Sequence, residues 1–344
     1  MANNLKMPPK VMLAPLTPYT DATFRILCSE LGAQYTFTEF VSTRTFKKEQ
    51  LSKEPPPRDA LRIDIRPQEK CGVQLRCYGV EDTTFTIKSI LSGQFRGKTS
   101  NGVPMSIDLN MGRPYPGITN VYEGSYFLKD IKKSELVISQ ARKVCTVPLS
   151  VKIRTGWDGD TINVTEFCKM AESCGIDWIT VHGRTSEDMY KPGTNSLDNI
   201  RKAKESVSIP VIGNGDIFNG QDAKRMFDYC GVDGVMVARG AIGNPFIFED
   251  IQNTLNGKPS GTPQAFKYIN CLVRHLLLLQ QLHPTISIQR CKTICNLYLR
   301  HLKNGKQLMS TIQTKQTVHS IVNYLLRLDP TNYEVDLQLV EKIT

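Results

Sequence analysis

Short apolar runs rich in β-branched residues recur along the first 250 residues, at intervals of roughly 30–40 residues. Stretches with helical spacing of apolar positions lie between most of them, at residues 22–31, 128–143, 164–174, 197–204, 223–230 and 245–250. Parallel strands need crossover connections, which helices commonly provide. The alternation predicts an α/β fold, a (β/α)₈ TIM barrel over residues 1–250, with a doubly wound sheet as the alternative. The eight predicted strands are residues 11–16, 35–40, 72–77, 106–111, 149–155, 178–184, 210–216 and 234–239.

The pattern changes after residue 250. Residues 251–262 are rich in Gly, Pro, Ser, Thr and Asn and are interpreted as a linker. Beyond them the chain is rich in Leu, Ile, Gln and Lys at helical spacing, which predicts a smaller C-terminal all-helical domain over residues 263–344.

Charge distinguishes this second domain. The chain carries a net charge of +10, and residues 251–328 contain ten Lys and Arg but no Asp or Glu. Soluble helices normally alternate charge signs, so an acid-free stretch of this length favours a phosphate-binding surface over an ordinary solvated face. The residues expected to contact RNA there are Arg274, Arg290, Lys292, Arg300, Lys303 and Lys306.

The remaining composition narrows the class of protein. No window approaches the ~18 apolar residues that span a bilayer, and no secretory signal is evident at the N-terminus, so a soluble, cytoplasmic protein without a membrane partner is expected. The ten cysteines form no C-x-x-C pair, which predicts reduced, buried thiols and no metal site. A monomer is expected.

Polar residues stand where the predicted strands end, and active sites of such barrels lie at that end. Glycines at positions 213, 215 and 240 follow the last two predicted strands, where barrels often bind phosphate, although glycines that merely form turns are the alternative. Gly213-x-Gly215 lacks the third glycine of a dinucleotide-binding motif. Lys152 and His182 are either ligand contacts or buried residues with internal partners. Taken together, the two residues favour a ligand-binding site.

Residues 10–250 resemble the flavin-dependent tRNA-dihydrouridine synthase family, and the basic helical segment resembles the tRNA-binding domain of that family. The resemblance rests on motifs in family order, namely Met12-Leu-Ala-Pro-Leu-Thr17, Asp21-Ala-Thr-Phe-Arg25, Gly72-Val-Gln-Leu75, Asp108-Leu-Asn-Met-Gly112, Ser150-Val-Lys-Ile-Arg154, Val181-His-Gly-Arg-Thr185 and Gly213-Asn-Gly-Asp-Ile217.

The resemblance implies an FMN cofactor, NADPH as the reductant and tRNA, or another structured RNA, as the partner. It implies reduction of uridine to dihydrouridine, with a base flipped out of the folded RNA. Arg184 is expected to contact the RNA. The residues implied to hold FMN are Ala14, Pro15 and Leu16 through the backbone, Gln74, Lys152 and His182 at the ring system, and Asn214, Gly215, Asp216, Ala238 and Arg239 near the phosphate.

The chain departs from the family pattern at the catalytic position. The cysteine that donates a proton in the family follows Asn-x-Gly, and in Asn110-Met-Gly-Arg113-Pro114 that place holds Arg113. Arginine cannot act as an acid near neutral pH. Residues 124–128 are also bulkier than the family usually has, and Leu197 replaces its usual Trp. The acceptor side of the pocket has therefore changed while the flavin side has not.

Three accounts of Arg113 remain open. Uridine reduction persists with a proton from water or from Tyr115, Cys77 or Tyr78, with Asn110 beside the reacting base. Alternatively, Arg113 holds a different acceptor for other flavin chemistry, such as RNA methylation. In the third account the chain binds FMN and RNA without catalysis. A flavin reductase of small molecules is a further rival, which RNA binding would distinguish.

Overall fold

The computed structural model describes residues 8–52, 58–98, 100–114, 123–259, 261 and 263–328, and at residues 58 and 60 only the backbone. Nine short strands form one parallel sheet. The strands are β1 (Val11–Leu13), β2 (Thr36–Phe37), β3 (Val41–Ser42), β4 (Cys71–Arg76), β5 (Ser106–Asn110), β6 (Leu149–Arg154), β7 (Trp178–His182), β8 (Val211–Asn214) and β9 (Gly234–Val237).

The sheet closes into a barrel with eight strand positions. Its order is β1-β9-β8-β7-β6-β5-β4-β2, and β3 also pairs with β4, so β2 and β3 share the second position. A parallel bridge between Met12 and Tyr35 joins β1 to the start of that position. The predicted (β/α)₈ fold is therefore confirmed, with the second strand split in two.

Thirteen helices lie in the described part of the chain, and most follow a strand. Within the barrel, α2, α4, α5, α6 and α7 pack side by side in chain order. The helices are α1 (Ala22–Glu30), α2 (Thr43–Leu51), α3 (Arg58–Leu61), α4 (Val80–Ser92), α5 (Ile131–Val144), α6 (Val164–Ser173), α7 (Leu197–Ser206), α8 (Gly220–Cys230), α9 (Ile247–Leu255), α10 (Ala265–Leu282), α11 (Ile288–Leu299), α12 (Gly305–Gln313) and α13 (Val318–Leu326).

The strands bury both faces, which explains their continuous apolar runs. Inside the barrel, Met12, Tyr35, Phe37, Trp178 and Ile212 belong to one buried cluster. All ten cysteines are free thiols and nine of them are buried, as the absence of paired cysteine motifs predicts.

The chain divides into two compact units. The first comprises residues 1–22, 34–216 and 223–238 and contains the whole sheet. The second comprises residues 23–33, 217–222 and 239–344. It begins earlier than the predicted boundary at 250 because Leu27 of α1 and Phe246 belong to the same buried core as helices α10 to α13.

The start of the predicted linker differs from the sequence interpretation. Residues 251–255 are the last residues of α9 and not part of a linker, since Ile251 and Thr254 are buried there. The side chain of Gln252 in this helix donates to the carbonyl of Gly32. The predicted linker therefore shortens to the residues between α9 and α10.

Candidate active site

Five predicted site residues lie at or near the C-terminal ends of neighbouring strands: Gln74, Asn110, Lys152, His182 and Asn214. The Asn110 side-chain amide donates to Gln74 Oε1 at 2.9 Å, and Gln74 Nε2 donates to a carboxylate oxygen of Asp108 at 2.7 Å. Because the strands are parallel and adjacent, their ends bring these amides onto one face. The sequence prediction of a polar ring is thus matched by hydrogen bonds between its members.

Asp108 anchors this ring and was missed by sequence reasoning. Its carboxylate is fully buried and also accepts from the Ser150 hydroxyl at 2.6 Å. Burial raises the pKa of Asp108, while the Ser150 and Gln74 hydrogen bonds act in the opposite direction. The sequence did contain a signal for Asp108, namely the alternation of polar and apolar residues in β5 and β6. This alternation places Asp108 and Asn110 of β5, and Ser150 and Lys152 of β6, on one face of the sheet.

Lys152 is a cation held below the mouth of the barrel. Its ammonium group donates to Asn214 Oδ1 at 2.8 Å, and the Asn214 amide in turn donates to the carbonyl of Met236 at 2.7 Å. Burial, together with the charge of Arg154, lowers the pKa of Lys152 to about 7. A lysine in this state takes up or releases a proton near neutral pH when its surroundings change.

Relative to the variant Lys152→Met, the wild-type protein free of cofactor is expected to gain stability as the pH rises from about 7 to 10. The unfolded lysine keeps its proton up to a pKa of about 10.4, whereas the folded one loses it near pH 7. Between these values the unfolded state binds more protons, so the free energy of unfolding increases with pH. Urea titrations of both proteins across this range measure the difference, and a pH-independent difference would contradict the assignment.

The turn after β8 is shaped by glycine and by a buried ion pair. Gly215 has φ of +121°, and a Cβ there would lie 2.2 Å from Asn195 Oδ1, so only glycine fits. The next residue, Asp216, accepts two hydrogen bonds from the Arg184 guanidinium at 2.8 and 2.7 Å.

This ion pair corrects the interpretation of Arg184. Its side chain is 1% exposed, and besides Asp216 it donates to the carbonyl of Lys191 and lies 3.3 Å from His182 Nε2. Arg184 is therefore an internal partner that fixes the loops after β7 and β8, and not a surface contact for RNA. The sequence showed the charge but not the partner 32 residues away.

The remaining residues predicted for the cofactor lie in the segments that follow β1 and β9 along the chain. The backbone N–H of Ala14 donates to Val237, and Leu16 N–H donates to the Thr20 hydroxyl, which orders the segment containing Pro15. Ala238 directly follows β9. Arg239, in the second unit, begins a short 3-10 helix with its guanidinium 5.7 Å over the ring of Phe218.

Arg113 is a fixed cation. Its backbone N–H donates to the Asn110 side chain at 3.0 Å, and Gly112 N–H donates to the same oxygen. The guanidinium lies 4.5 Å over the ring of Phe40, which Arg76 also approaches at 5.1 Å.

The three side chains predicted as alternative proton donors differ in their surroundings. Cys77 is fully buried, its thiol faces the carbonyl of Leu75, and burial raises its pKa to about 12. The ring of Tyr78 lies under the guanidinium of Arg44. Tyr115 lies outside the described residues.

The basic residues of the second unit divide into two groups. Lys303 and Lys306 are exposed, and Arg290 is partly exposed. Others have internal partners: exposed Arg274 forms an ion pair with Glu30, and Arg300 donates to the carbonyl of Ile242. The prediction that Lys292 contacts RNA is corrected, because its side chain is buried and donates to the carbonyl of Gln313 at the end of α12.

Comparison with known proteins decides the family. A family model described as dihydrouridine synthase (Dus) matches residues 12–328, which is most of the chain. The chain belongs to the dihydrouridine synthase family. This membership confirms the resemblance inferred from the motifs, and the match extends through both compact units.

Relatives in this family align with the chain over most of their own length. A "tRNA-dihydrouridine synthase B" of Pasteurella multocida (strain Pm70) is 31% identical over 284 residues, 82% of this chain and 80% of the relative. A "Probable tRNA-dihydrouridine synthase" of Rickettsia conorii is 32% identical and covers 79% of this chain and 78% of its own. The tRNA-dihydrouridine synthase B of Proteus vulgaris is 33% identical over 72% of each chain.

Two further observations bear on the partners of this dihydrouridine synthase family member. Among the described residues, no helix is both long and apolar enough to cross a membrane. Within the same part of the chain, no group of three or more His, Cys, Asp or Glu side chains is arranged to hold a metal ion. The predicted monomer stays a prediction.

Proposed function

We propose that this protein is a tRNA-dihydrouridine synthase that uses FMN and NADPH to reduce a uridine of tRNA in the cytoplasm. One observation carries the proposal: the family match spans residues 12–328 and thus includes the polar ring and the basic helices together. Relatives that bear the name tRNA-dihydrouridine synthase align over the same region. A reductase of small molecules would have no need of the basic helical unit.

The polar ring fits an FMN. The hydroxyls of Thr17, after β1, and of Thr180, in β7 beside Lys152, are buried and have no hydrogen-bond partner among the described residues. Lys152 adds a donor in the same layer, and buried polar groups of this kind need partners. A flavin ring with its carbonyl oxygens and ring nitrogens, and a ribityl chain with hydroxyls, offers them.

The residues that would hold the cofactor are those already at the strand ends. Gln74, Lys152 and His182 would contact the ring system, and the backbone at 14–16 would border it. Asn214, Gly215, Asp216 and Ala238, all in the first unit, would surround the phosphate, in the place where barrels of this type often bind one. Bound FMN supplies hydride chemistry.

The protein's own residues then position the substrate and control protons. The Asn110 side chain orients the loop that bears Arg113 by accepting from two backbone N–H groups, while its amide is held by Gln74. Arg113 can donate hydrogen bonds to an oxygen that becomes electron-rich, but it cannot release a proton near neutral pH. The proton for the uracil ring is therefore proposed to come from water.

A second candidate function is favoured by the same arginine. Its guanidinium is held over Phe40, which fits a flavin- and RNA-binding protein that has lost uridine reduction. The two functions differ in whether tRNA accepts electrons from the bound cofactor.

A spectroscopic experiment tests the proposal. The purified protein is expected to show a flavin absorbance spectrum that bleaches when NADPH is added without oxygen. Unmodified tRNA should then restore the oxidised spectrum, whereas tRNA that already carries dihydrouridine at the target should not. Bleaching without restoration, together with tRNA binding, would support the second candidate, and a colourless protein that takes up no FMN would contradict both.

A further inference from the structure

The segments that follow β3, β4, β5 and β6, among them the first turn of α2 and a 3-10 helix at Gly124–Lys129, carry basic side chains on aromatic rings. The guanidinium of Arg44 lies 4.4 Å from the centre of the Tyr78 ring. The Lys129 ammonium lies 3.6 Å from the centre of the Trp157 ring and 5.8 Å from that of Tyr126, and the two rings meet edge to face at 6.3 Å. We call Arg44, Tyr78, Tyr126, Lys129 and Trp157 the rim surface.

Several basic residues on the outer helices of the barrel have carboxylate partners instead. Lys47, Arg142, Lys204 and Lys224 all form ion pairs with carboxylates at 3.1 Å or less. In contrast, neither basic residue of the rim surface forms an ion pair with any described residue. A ring attracts a cation without neutralising it, so Arg44 and Lys129 keep their N–H donors for a ligand, while the charge of Lys129 also acts on Asp158 without forming an ion pair.

The rim surface also keeps its rings accessible. Arg44 and Lys129 are exposed, and Tyr78, Tyr126 and Trp157 are each partly exposed. All five residues lie within the first compact unit and follow the C-terminal ends of neighbouring strands. They therefore face the same side of the barrel as Gln74 and Lys152.

Charged donors beside accessible rings suit one class of ligand. Unpaired nucleotides present phosphates to basic side chains and base faces to aromatic rings. A duplex would use the cations but not the rings, because its base faces are already stacked on one another. The arrangement thus matches RNA that is locally single-stranded, as it must be where a base is flipped out.

We propose that the rim surface binds the nucleotides next to the target uridine, with Arg44 and Lys129 on phosphates and with bases stacked on Trp157 and Tyr126. This proposal rests on the proposed function, because it takes tRNA as the substrate. It adds a contact surface on the barrel that the acid-free helices of the second unit do not provide.

The charge part is tested by measuring the tRNA dissociation constant of the full-length protein over a range of salt concentrations. Arg44→Gln and Lys129→Gln are each expected to weaken binding and to lower the slope of log affinity against log salt by about 0.7–1. Arg201→Gln is the control, because Arg201 also lies over a ring, 5.0 Å from that of Tyr229, but on the outer helices α7 and α8 and in an ion pair with Asp198. It should leave the slope unchanged.

The stacking part has a different signature. Trp157→Ala is expected to weaken tRNA binding roughly 5- to 150-fold without changing the salt slope, and Trp157→Phe should restore most of the affinity. Flavin content and the rate of flavin reduction by NADPH serve as controls, and both should match wild type in every variant.

The outcomes separate this proposal from the proposed function. If wild type binds tRNA with a steep salt dependence while the rim variants match Arg201→Gln, the rim proposal fails alone. If Arg44→Gln raises the KM for NADPH and spares tRNA binding, the surface binds the nicotinamide nucleotide instead and the proposal also fails. If wild type shows no tRNA affinity, the proposed function itself is overturned.

Discussion

Arg113→Cys is expected to raise the rate of uridine reduction about 10²- to 10⁴-fold, the usual contribution of a positioned general acid. The substitution places a thiol on a loop whose backbone is already held by Asn110. Cysteine is also the residue that the resemblance implies at this position. Single-turnover measurement of dihydrouridine in unmodified tRNA, with NADPH in excess, would give the rate.

Arg113→Ala distinguishes the effect of adding an acid from the effect of removing the large arginine side chain. It removes the guanidinium from Phe40 but supplies no proton. Its rate should not exceed that of wild type, because it also loses the hydrogen bonds that Arg113 can donate, and the rate of Arg113→Cys should depend on the protonation of the new thiol. Equally raised rates for the Cys and Ala variants would show that the arginine blocks the pocket, and equal rates at any level would contradict the account of a missing acid.

Asp216→Asn is expected to lower the free energy of unfolding by about 2–3 kcal/mol, because it leaves the Arg184 guanidinium buried without its carboxylate. Asparagine tolerates the positive φ of this position, so backbone strain adds little. Asp228→Asn is the control, since Asp228 pairs with Lys224 at an exposed site. That variant should cost about 0–1 kcal/mol.

Urea titration of the cofactor-free proteins measures both changes. The Asp216 variant should also retain less FMN after purification, because Asp216 lies in the turn proposed to surround the phosphate. Equal stabilities for the two variants would mean that the Arg184–Asp216 pair is not the internal anchor described above.

The strand ends of the barrel could be predicted from the sequence because each strand is a short, mainly apolar run with a polar residue at or near its C-terminal end. Gln74, Lys152 and Asn214 therefore stood out before any contact was known. Sequence reasoning missed α2, whose only buried residues are Thr43 and Phe46, so its apolar stripe is faint. It also missed α4, in which threonine and isoleucine give a strand-like composition.

Long-range partners account for the remaining differences. The sequence showed Arg184 and Lys292 as charges, but their burial depends on Asp216 and on the end of α12, which are distant along the chain. Helix α1 joins the second unit through Leu27, and nothing in its own periodicity indicates which core it enters. The rim surface was missed for the same reason, since the contacts of Arg44 with Tyr78 and of Lys129 with Trp157 join segments that are distant along the chain.

The most direct test of the proposed function is mass analysis of unmodified tRNA after incubation with the purified protein, FMN and NADPH. The account predicts one uridine that gains the mass of two hydrogen atoms, and no such product from Lys152→Met. A gain equal to one methylene group would indicate methyl transfer. Unchanged RNA, from a protein that binds both FMN and tRNA, would contradict uridine reduction.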